Sequence, residues 1–256
     1  MIGYSGFLII IAILVMFLMV NDGAVQKTFF SWEHISKSFW PVAKAMLVNI
    51  QIAIFTLLLS LTFGLLLALT RNLKKRAWAP LRSMAIGYID MFRGLPALVV
   101  IYLVCFGIPL TKIPVISEQS PILYAVIALT LSYSAYIAEM YRSGFDAVDT
   151  GQMQAALSLG MSYGSAVRVV TLPQVFRIVT PNLLSAFISM QKDSALVYVV
   201  GIIDSFGQAQ IYAGNYYNLS AVIGVCICFI AITIPQARFV DHILARQDRR
   251  QSVGES

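Results

Sequence analysis

Six apolar runs constrain this chain more than anything else in it. They cover about Ile2 to Val20, Ala45 to Leu69, Met84 to Leu110, Pro121 to Met140, Pro181 to Ile203 and Leu219 to Pro235. A helix needs about 20 apolar residues to cross a bilayer. The runs are rich in Leu, Ile, Val, Phe and Ala without period-2 alternation, so they predict helices rather than barrel strands. Over 256 residues, 59% are hydrophobic and 12% charged, with mean hydropathy +0.79. That leaves room for one membrane bundle and little else.

Charge placement predicts the topology. With both termini in the cytoplasm, twelve of the 18 Lys and Arg residues fall in inside segments: Arg71, Lys74, Lys75, Arg76, Arg82, Arg142, Arg168, Arg177, Arg238, Arg246, Arg249 and Arg250. Lys27, Lys37, Lys44 and Lys112 fall outside, and Arg93 and Lys192 lie within or near spans. This positive-inside bias places the loop 141–180 in the cytoplasm. It also accounts for the net charge of +6 without nucleic acid, since no basic run is interleaved with aromatics. The first run lacks a leading Lys or Arg and a trailing A-x-A-like site, so it is read as a retained helix rather than a signal peptide.

Catalytic chemistry is hard to place here. Cys105, Cys226 and Cys228 lie inside apolar runs, and His34 and His242 lack ligand spacing. A G-x-x-x-x-G-K-[ST] phosphate loop and a G-x-S-x-G elbow are both missing from the sequence. No cofactor or metal is expected on this chain.

The loop after the fourth run is polar or small in most positions. Asp149 or Thr150 can cap a short helix that Gly160 ends, because glycine accepts the left-handed conformation. Ser162 can cap a second helix ending near Pro173. About nine residues are too few for a helix stable alone in water. Ala155 and Ala156 let another backbone approach, and Met153, Leu157 and Leu159 are apolar outside the lipid. Such a helix suits a groove on a partner; an ordinary helical hairpin packed on its own bundle fits the same residues. Ser120-Pro121 and Thr180-Pro181 each place a capping hydroxyl before a proline at the first position of the fourth and fifth helices.

Gly151-Gln152-Met153-Gln154-Ala155-Ala156-Leu157-Ser158-Leu159-Gly160, followed by Leu172-Pro173, resembles the EAA loop of permease subunits in ABC importers, most closely the polar amino-acid family. Phe92-Arg93-Gly94-Leu95-Pro96 is similar to that family's F-R-G-T-P motif, with Leu95 for threonine. Gln191-Lys192-Asp193-Ser194-Ala195-Leu196 resembles its K-D-T-S-L run. The likeness covers about residues 45 to 240. It implies an all-α, type I importer-like bundle of about six helices with a short cytoplasmic coupling helix. Residues 1–44 would add an extra helix and an outer linker, and 241–256 a cytoplasmic tail, in a bacterial cytoplasmic membrane. It also implies an import subunit without covalent chemistry of its own. Its partners would be two ATPase subunits that bind ATP and Mg, a second permease copy or paralogue, and an external solute-binding protein, within membrane lipid. Gly151, Gln152, Gln154, Ala155, Ala156, Leu159 and Gly160 would form the ATPase-coupling surface. The family usually has glutamate where Gln154 stands, so hydrogen bonding is kept and a charge is lost.

Gly94 and Pro96 predict a kink in the third helix. Asp90 with Arg93, and Glu139 with Arg142, are each spaced to pair on one helix face. Charge within a bilayer is costly and faces a cavity or a partner. Two readings therefore fit Lys192 and Asp193, about ten residues into the fifth run: a translocation path with Gln191 and Glu139, or a structural ion pair. Met190 and Tyr198 fit the same path or ordinary packing. Arg93 reads as an interfacial anchor or a subunit contact. The aromatic segment 204–218, with Tyr212, Tyr216 and Tyr217, reads as a receptor contact or as a headgroup-level belt. An ion-gradient-driven secondary transporter would show an internal repeat with paired broken helices, and a membrane enzyme would show a nucleophile or metal cluster.

Overall fold

The computed structural model describes Met16, residues 23–73 and residues 76–254, with side chains through Ala245. Apart from Met16, the first apolar run lies outside the described residues. Helices account for nearly all of the described chain: α1 (Trp32–Arg71), α2 (Ala79–Gly94), α3 (Ala97–Leu110), α4 (Pro121–Ala147), α5 (Thr150–Ser158), α6 (Tyr163–Ala166), α7 (Leu172–Asp193), α8 (Ser205–Tyr216) and α9 (Ser220–Gly254). Among the described residues, four helical stretches are long and apolar enough to cross a membrane, and α2 with α3 make a fifth if that bent pair is one span.

The apolar runs mark where these helices are greasy, not where they start. The helix expected from Ala45 begins at Trp32 and runs 40 residues through Pro41. Its added turns carry Glu33 and Lys37, an i,i+4 pair at 2.6 Å. The fifth helix starts earlier than expected, at Leu172, and also ends earlier, at Asp193. Thr180 and Pro181 lie inside α7, where the Thr180 hydroxyl donates to the Phe176 carbonyl at 2.6 Å instead of capping. The proline at the start of α7 is Pro173. Ser120 does cap α4, its Oγ accepting from the Ile122 N–H at 3.3 Å.

The third run breaks rather than kinks. Leu95 (φ −97°, ψ 135°) and Pro96 (φ −60°, ψ 134°) are both extended. The proline ring disfavours α geometry at the residue before it, and two extended residues in succession turn the axis by 106°.

The described chain divides into two compact units. One holds the described residues up to Asn49 with Gly201–Ile232, and the other holds Ile50–Val200 and the chain from Thr233. In the larger unit α4 is central and packs against α2, α3 and α7. Its buried positions include Ala125, Ala128, Ser132, Ser134, Ala135, Ala138 and Gly144, small residues of the kind that let membrane helices approach closely. A Cβ on Gly144 would clash with Val179 of α7, and one on Gly64 of α1 would sit 2.6 Å from Ile137 of α4.

In the smaller unit polar pairing joins segments far apart in sequence. Asp204 is fully buried and caps α8, accepting from the Gly207 N–H at 2.8 Å and from Asn49 Nδ2 at 2.8 Å. Asn49 Oδ1 accepts in turn from the Ser205 N–H at 3.0 Å. Burial pushes the Asp204 carboxyl up, and the Asn49 hydrogen bond opposes that shift. The Leu219 N–H donates to the Thr28 carbonyl at 2.9 Å, and the Ser31 N–H to Ser220 Oγ at 3.0 Å. Tyr212 stacks on Tyr216 with centroids 4.4 Å apart and meets His34 Nδ1 through its hydroxyl at 3.0 Å.

Candidate coupling loop and charge cluster

The loop after α4 forms the short helix that its sequence predicts. Asp149 is the N-cap, with Oδ1 accepting from the Gly151 N–H at 2.7 Å. Nine residues of helix follow, Thr150–Ser158. Gly160 takes φ +83°, its N–H donates to the Leu157 carbonyl at 3.0 Å, and the Met161 N–H reaches the Ala156 carbonyl at 3.2 Å. Positive φ costs a residue with a Cβ, so glycine is the natural stop here.

This helix has an inner and an outer side. Ala156 is 5% exposed, whereas Leu159 is 85% exposed and Leu157, Gln154 and Ala155 are exposed beside it. An exposed leucine beside small residues leaves apolar surface uncovered at this end of the helix. Gln152 differs from its neighbours, since Gln174 Nε2 of α7 donates to its Oε1 at 2.5 Å. One predicted coupling residue is therefore already tied to a helix of this chain.

Ser162 caps α6, accepting from the Ser165 N–H at 3.3 Å. The helix expected to end near Pro173 does not end there. It passes through a π turn, Val167–Thr171, in which the Leu172 N–H reaches back to the Val167 carbonyl, and continues as α7. Between α5, this turn and the ends of α1 and α4 lies a cavity of about 610 Å³.

Glu139 of α4 gathers three arginines. Arg71 Nη1 of α1 is 2.9 Å from Oε2, Arg142 Nη2 is 2.5 Å from Oε1, and Arg93 Nη1 of α2 is 3.7 Å from Oε2. Arg142 also pairs with Asp146. The predicted Glu139–Arg142 pair is present, while Arg93 turns to Glu139 of another helix instead of to Asp90. The cluster joins three helix ends, and a carboxylate held this way is costly to remove because its cations would lose their partner. The role of Arg71 went unpredicted, its partner lying 68 positions away in sequence.

Gln191, Lys192 and Asp193 fall in the last turn of α7, ahead of a 3-10 turn, Ser194–Val200. Asp193 accepts from the Tyr133 hydroxyl of α4 at 2.8 Å and Lys192 is exposed, so the two neighbours face different surroundings. Gln191 is 1% exposed, and both its side-chain polar atoms lack a hydrogen-bond partner among the described residues. Met190 is fully buried and Tyr198 partly exposed. No sequence signal pointed to Tyr133. Among the described residues no group of three or more His, Cys, Asp or Glu side chains could hold a metal ion.

Comparison with known proteins bears on the chain as a whole. Residues 60–253 match the family described as "Binding-protein-dependent transport system inner membrane component". The "Probable amino-acid permease protein YxeN" of Bacillus subtilis is 32% identical over 79% of this chain and 89% of its own length. The "L-cystine transport system permease protein TcyB" of the same organism is 31% identical over 91% of this chain and 97% of its own. Among solved structures, "Crystal structure of an amino acid ABC transporter with histidines" superposes with TM-score 0.73 at 29% identity, covering 81% of this chain and 95% of that one. The MetNI methionine ABC transporter, at 21% identity and TM-score 0.59 over 82% and 95%, shares the fold. In this family ATP is hydrolysed on a separate subunit and solute is delivered by a binding protein. The chain belongs to the family of inner-membrane components of binding-protein-dependent transport systems, as a multi-pass, non-catalytic permease subunit of an ABC importer.

Proposed function

We propose that the solute is a polar amino acid or a closely related compound, and that α5 is the coupling helix. The observation that carries the coupling role is the capped nine-residue helix with Ala156 turned in and Leu159 turned out. Relatives that act on amino acids support the substrate class. Gly151, Gln152, Gln154, Ala155, Ala156, Leu159 and Gly160 form the coupling segment. Two ATPase subunits carry ATP and Mg, a second permease copy or paralogue completes the membrane path, and loop 141–180 and both termini face the cytoplasm.

Gln191 and Asp193 line the translocation path beside Tyr133. A buried glutamine with unused donors and acceptors suits a solute with a carboxylate and an ammonium group. Glu139, with Arg93 and Arg142, braces the helix ends. Gly94 and Pro96 set the α2–α3 break, and Pro173 sets the start of α7.

The test is purification of the intact complex from its native membrane, followed by uptake of labelled amino acids into vesicles loaded with ATP. Retention of an ATPase and ATP-dependent uptake are expected. Loss of uptake in Gly160→Leu, with the permease still inserted, supports coupling through α5. Uptake that ignores ATP would overturn the reading.

A further inference from the structure

One face of α1 links an apolar crevice to the arginine cluster. Leu59, Phe63, Leu67 and Arg71 follow one another at four-residue intervals, which keeps them on one side of a helix. The three apolar residues line a crevice of about 320 Å³, together with Tyr88 of α2 and Ile127 and Leu131 of α4. The fourth, Arg71, pairs with Glu139. Contacts between α2 and α4 make the same link. The Tyr88 hydroxyl meets the Leu131 carbonyl at 2.9 Å and Ser134 Oγ at 2.8 Å. Five residues on, Arg93 reaches Glu139, and its carbonyl accepts from the Tyr136 hydroxyl at 3.3 Å. At a rise of about 1.5 Å per residue, crevice and cluster lie about 7–12 Å apart along these helices.

The two features suit the two halves of one molecule. The crevice opens to the surface, with Phe63 51% and Leu59 38% exposed. On its wall the Tyr88 and Ser134 hydroxyls are engaged with each other, and the Thr130 hydroxyl is fully buried. Such a wall takes hydrocarbon, whereas a polar solute would lose its hydrogen bonds there. In the cluster, Arg71, Arg93 and Arg142 meet two carboxylates, Glu139 and Asp146, which leaves a positive charge in excess. Arg93 is the loosest member, 3.7 Å from Glu139 and 41% exposed. Asp90, one turn earlier, is exposed and makes no ion pair among the described residues. A guanidinium with spare donors matches a phosphate group.

We propose that this patch binds one anionic phospholipid, with an acyl chain in the crevice and the phosphate on Arg93. The cytoplasmic leaflet is the anionic one, and the charge bias puts Arg71 and Arg142 on that side. A second permease copy fits less well, since about a two-fold axis the patch would meet itself and set arginine against arginine. The lipid would hold α2 against α1 and α4 just ahead of the Leu95–Pro96 turn. The site is independent of any docking through α5.

The test is lipid retention by the intact complex with its ATPase. The complex is delipidated in neutral detergent, titrated with phosphatidylglycerol or with phosphatidylcholine of the same acyl chains, and read by native mass spectrometry. Wild type should hold phosphatidylglycerol about fivefold more tightly, and added salt should shrink that preference. Arg93→Gln should abolish the preference and leave the lipid-free melt unchanged, because Arg71 and Arg142 still hold Glu139. Arg93→Lys should keep part of it. Leu67→Phe narrows the crevice with the cluster intact, and should weaken both lipids alike.

Equal retention of the two lipids by wild type would overturn the proposal, as would a preference that survives Arg93→Gln. If Arg93→Gln lowers the lipid-free melt, Leu67→Phe decides, and unchanged lipid binding there sinks the site. Release of the second permease by Arg93→Gln, with lipid retention at the wild-type level, would assign the patch to the partner copy instead.

Discussion

Position 154 holds glutamine where the related importers usually carry glutamate, and the structure leaves its side chain exposed on the outer side of α5. The neighbouring Leu159, 85% exposed, is the larger apolar contact available to a partner. Interface energy concentrates in a few well-buried side chains, so the two positions should respond differently to charge. Leu159→Asp is expected to lower retention of the ATPase by more than about tenfold, and Gln154→Glu to change it by less than about twofold, in co-purification from the same membranes. Comparable losses from both would place recognition in the polar edge. Glu139 tests another residue-scale idea. Glu139→Gln leaves Arg71, Arg93 and Arg142 facing a neutral amide, and should lower the stability of the detergent-solubilised protein by about 2–4 kcal/mol, read from thermal melts.

Helices in this chain are set by their ends and contact faces, and those were unevenly legible. Capping was readable at Ser120, Asp149 and Ser162 because an oxygen side chain at a helix start has one local job. The same logic failed at Thr180, where the hydroxyl had an equally good acceptor one turn back and the helix was already under way. Polar turns at the start of α1 went unseen because a hydropathy window detects lipid contact, not helix. Tyr133, Arg71 and the Asn49–Asp204 pair were unreadable for a plainer reason: each partner lies 60 to 155 positions away. Gly144→Leu should disrupt the α4–α7 contact and cost about 1–3 kcal/mol, visible as a lower melting temperature. Asn49→Ala leaves the buried Asp204 carboxyl and the Ser205 N–H each short of a partner. It should cost about 2–4 kcal/mol, whereas a surface control such as Glu33→Gln should leave the melt within about 0.5 kcal/mol of wild type.

At the scale of the molecule, the sequence carried more about membership than about mechanism. Motifs at residues 92–96, 151–160 and 191–196 identified the importer family because they sit at helix ends, where backbone geometry restricts residue choice. What the solute meets along its path depends on side chains from several helices meeting, and spacing along one chain cannot encode that. Topology is testable at this scale. Single cysteines placed in loop 141–180, in protein whose Cys105, Cys226 and Cys228 are replaced by alanine, should resist an impermeant maleimide added outside sealed cells, and a cysteine near Asn218 should react. The reverse pattern would invert the charge-based assignment.

The sharp turn at Leu95–Pro96 bears on the lipid as much as on the protein. Beyond it α3 has 14 residues, a rise of about 21 Å, while the hydrocarbon slab is about 30 Å thick. Where α3 crosses without the help of α2, a segment that short obliges the surrounding bilayer to thin, or the polar ends beside it to draw water inward. Thickness therefore becomes a variable of the transporter. Reconstituted into phosphatidylcholines of increasing acyl length, the complex should pass through a maximum in uptake and lose activity in the thickest membranes, and a flat response across the series would mean that neighbouring helices absorb the whole deficit.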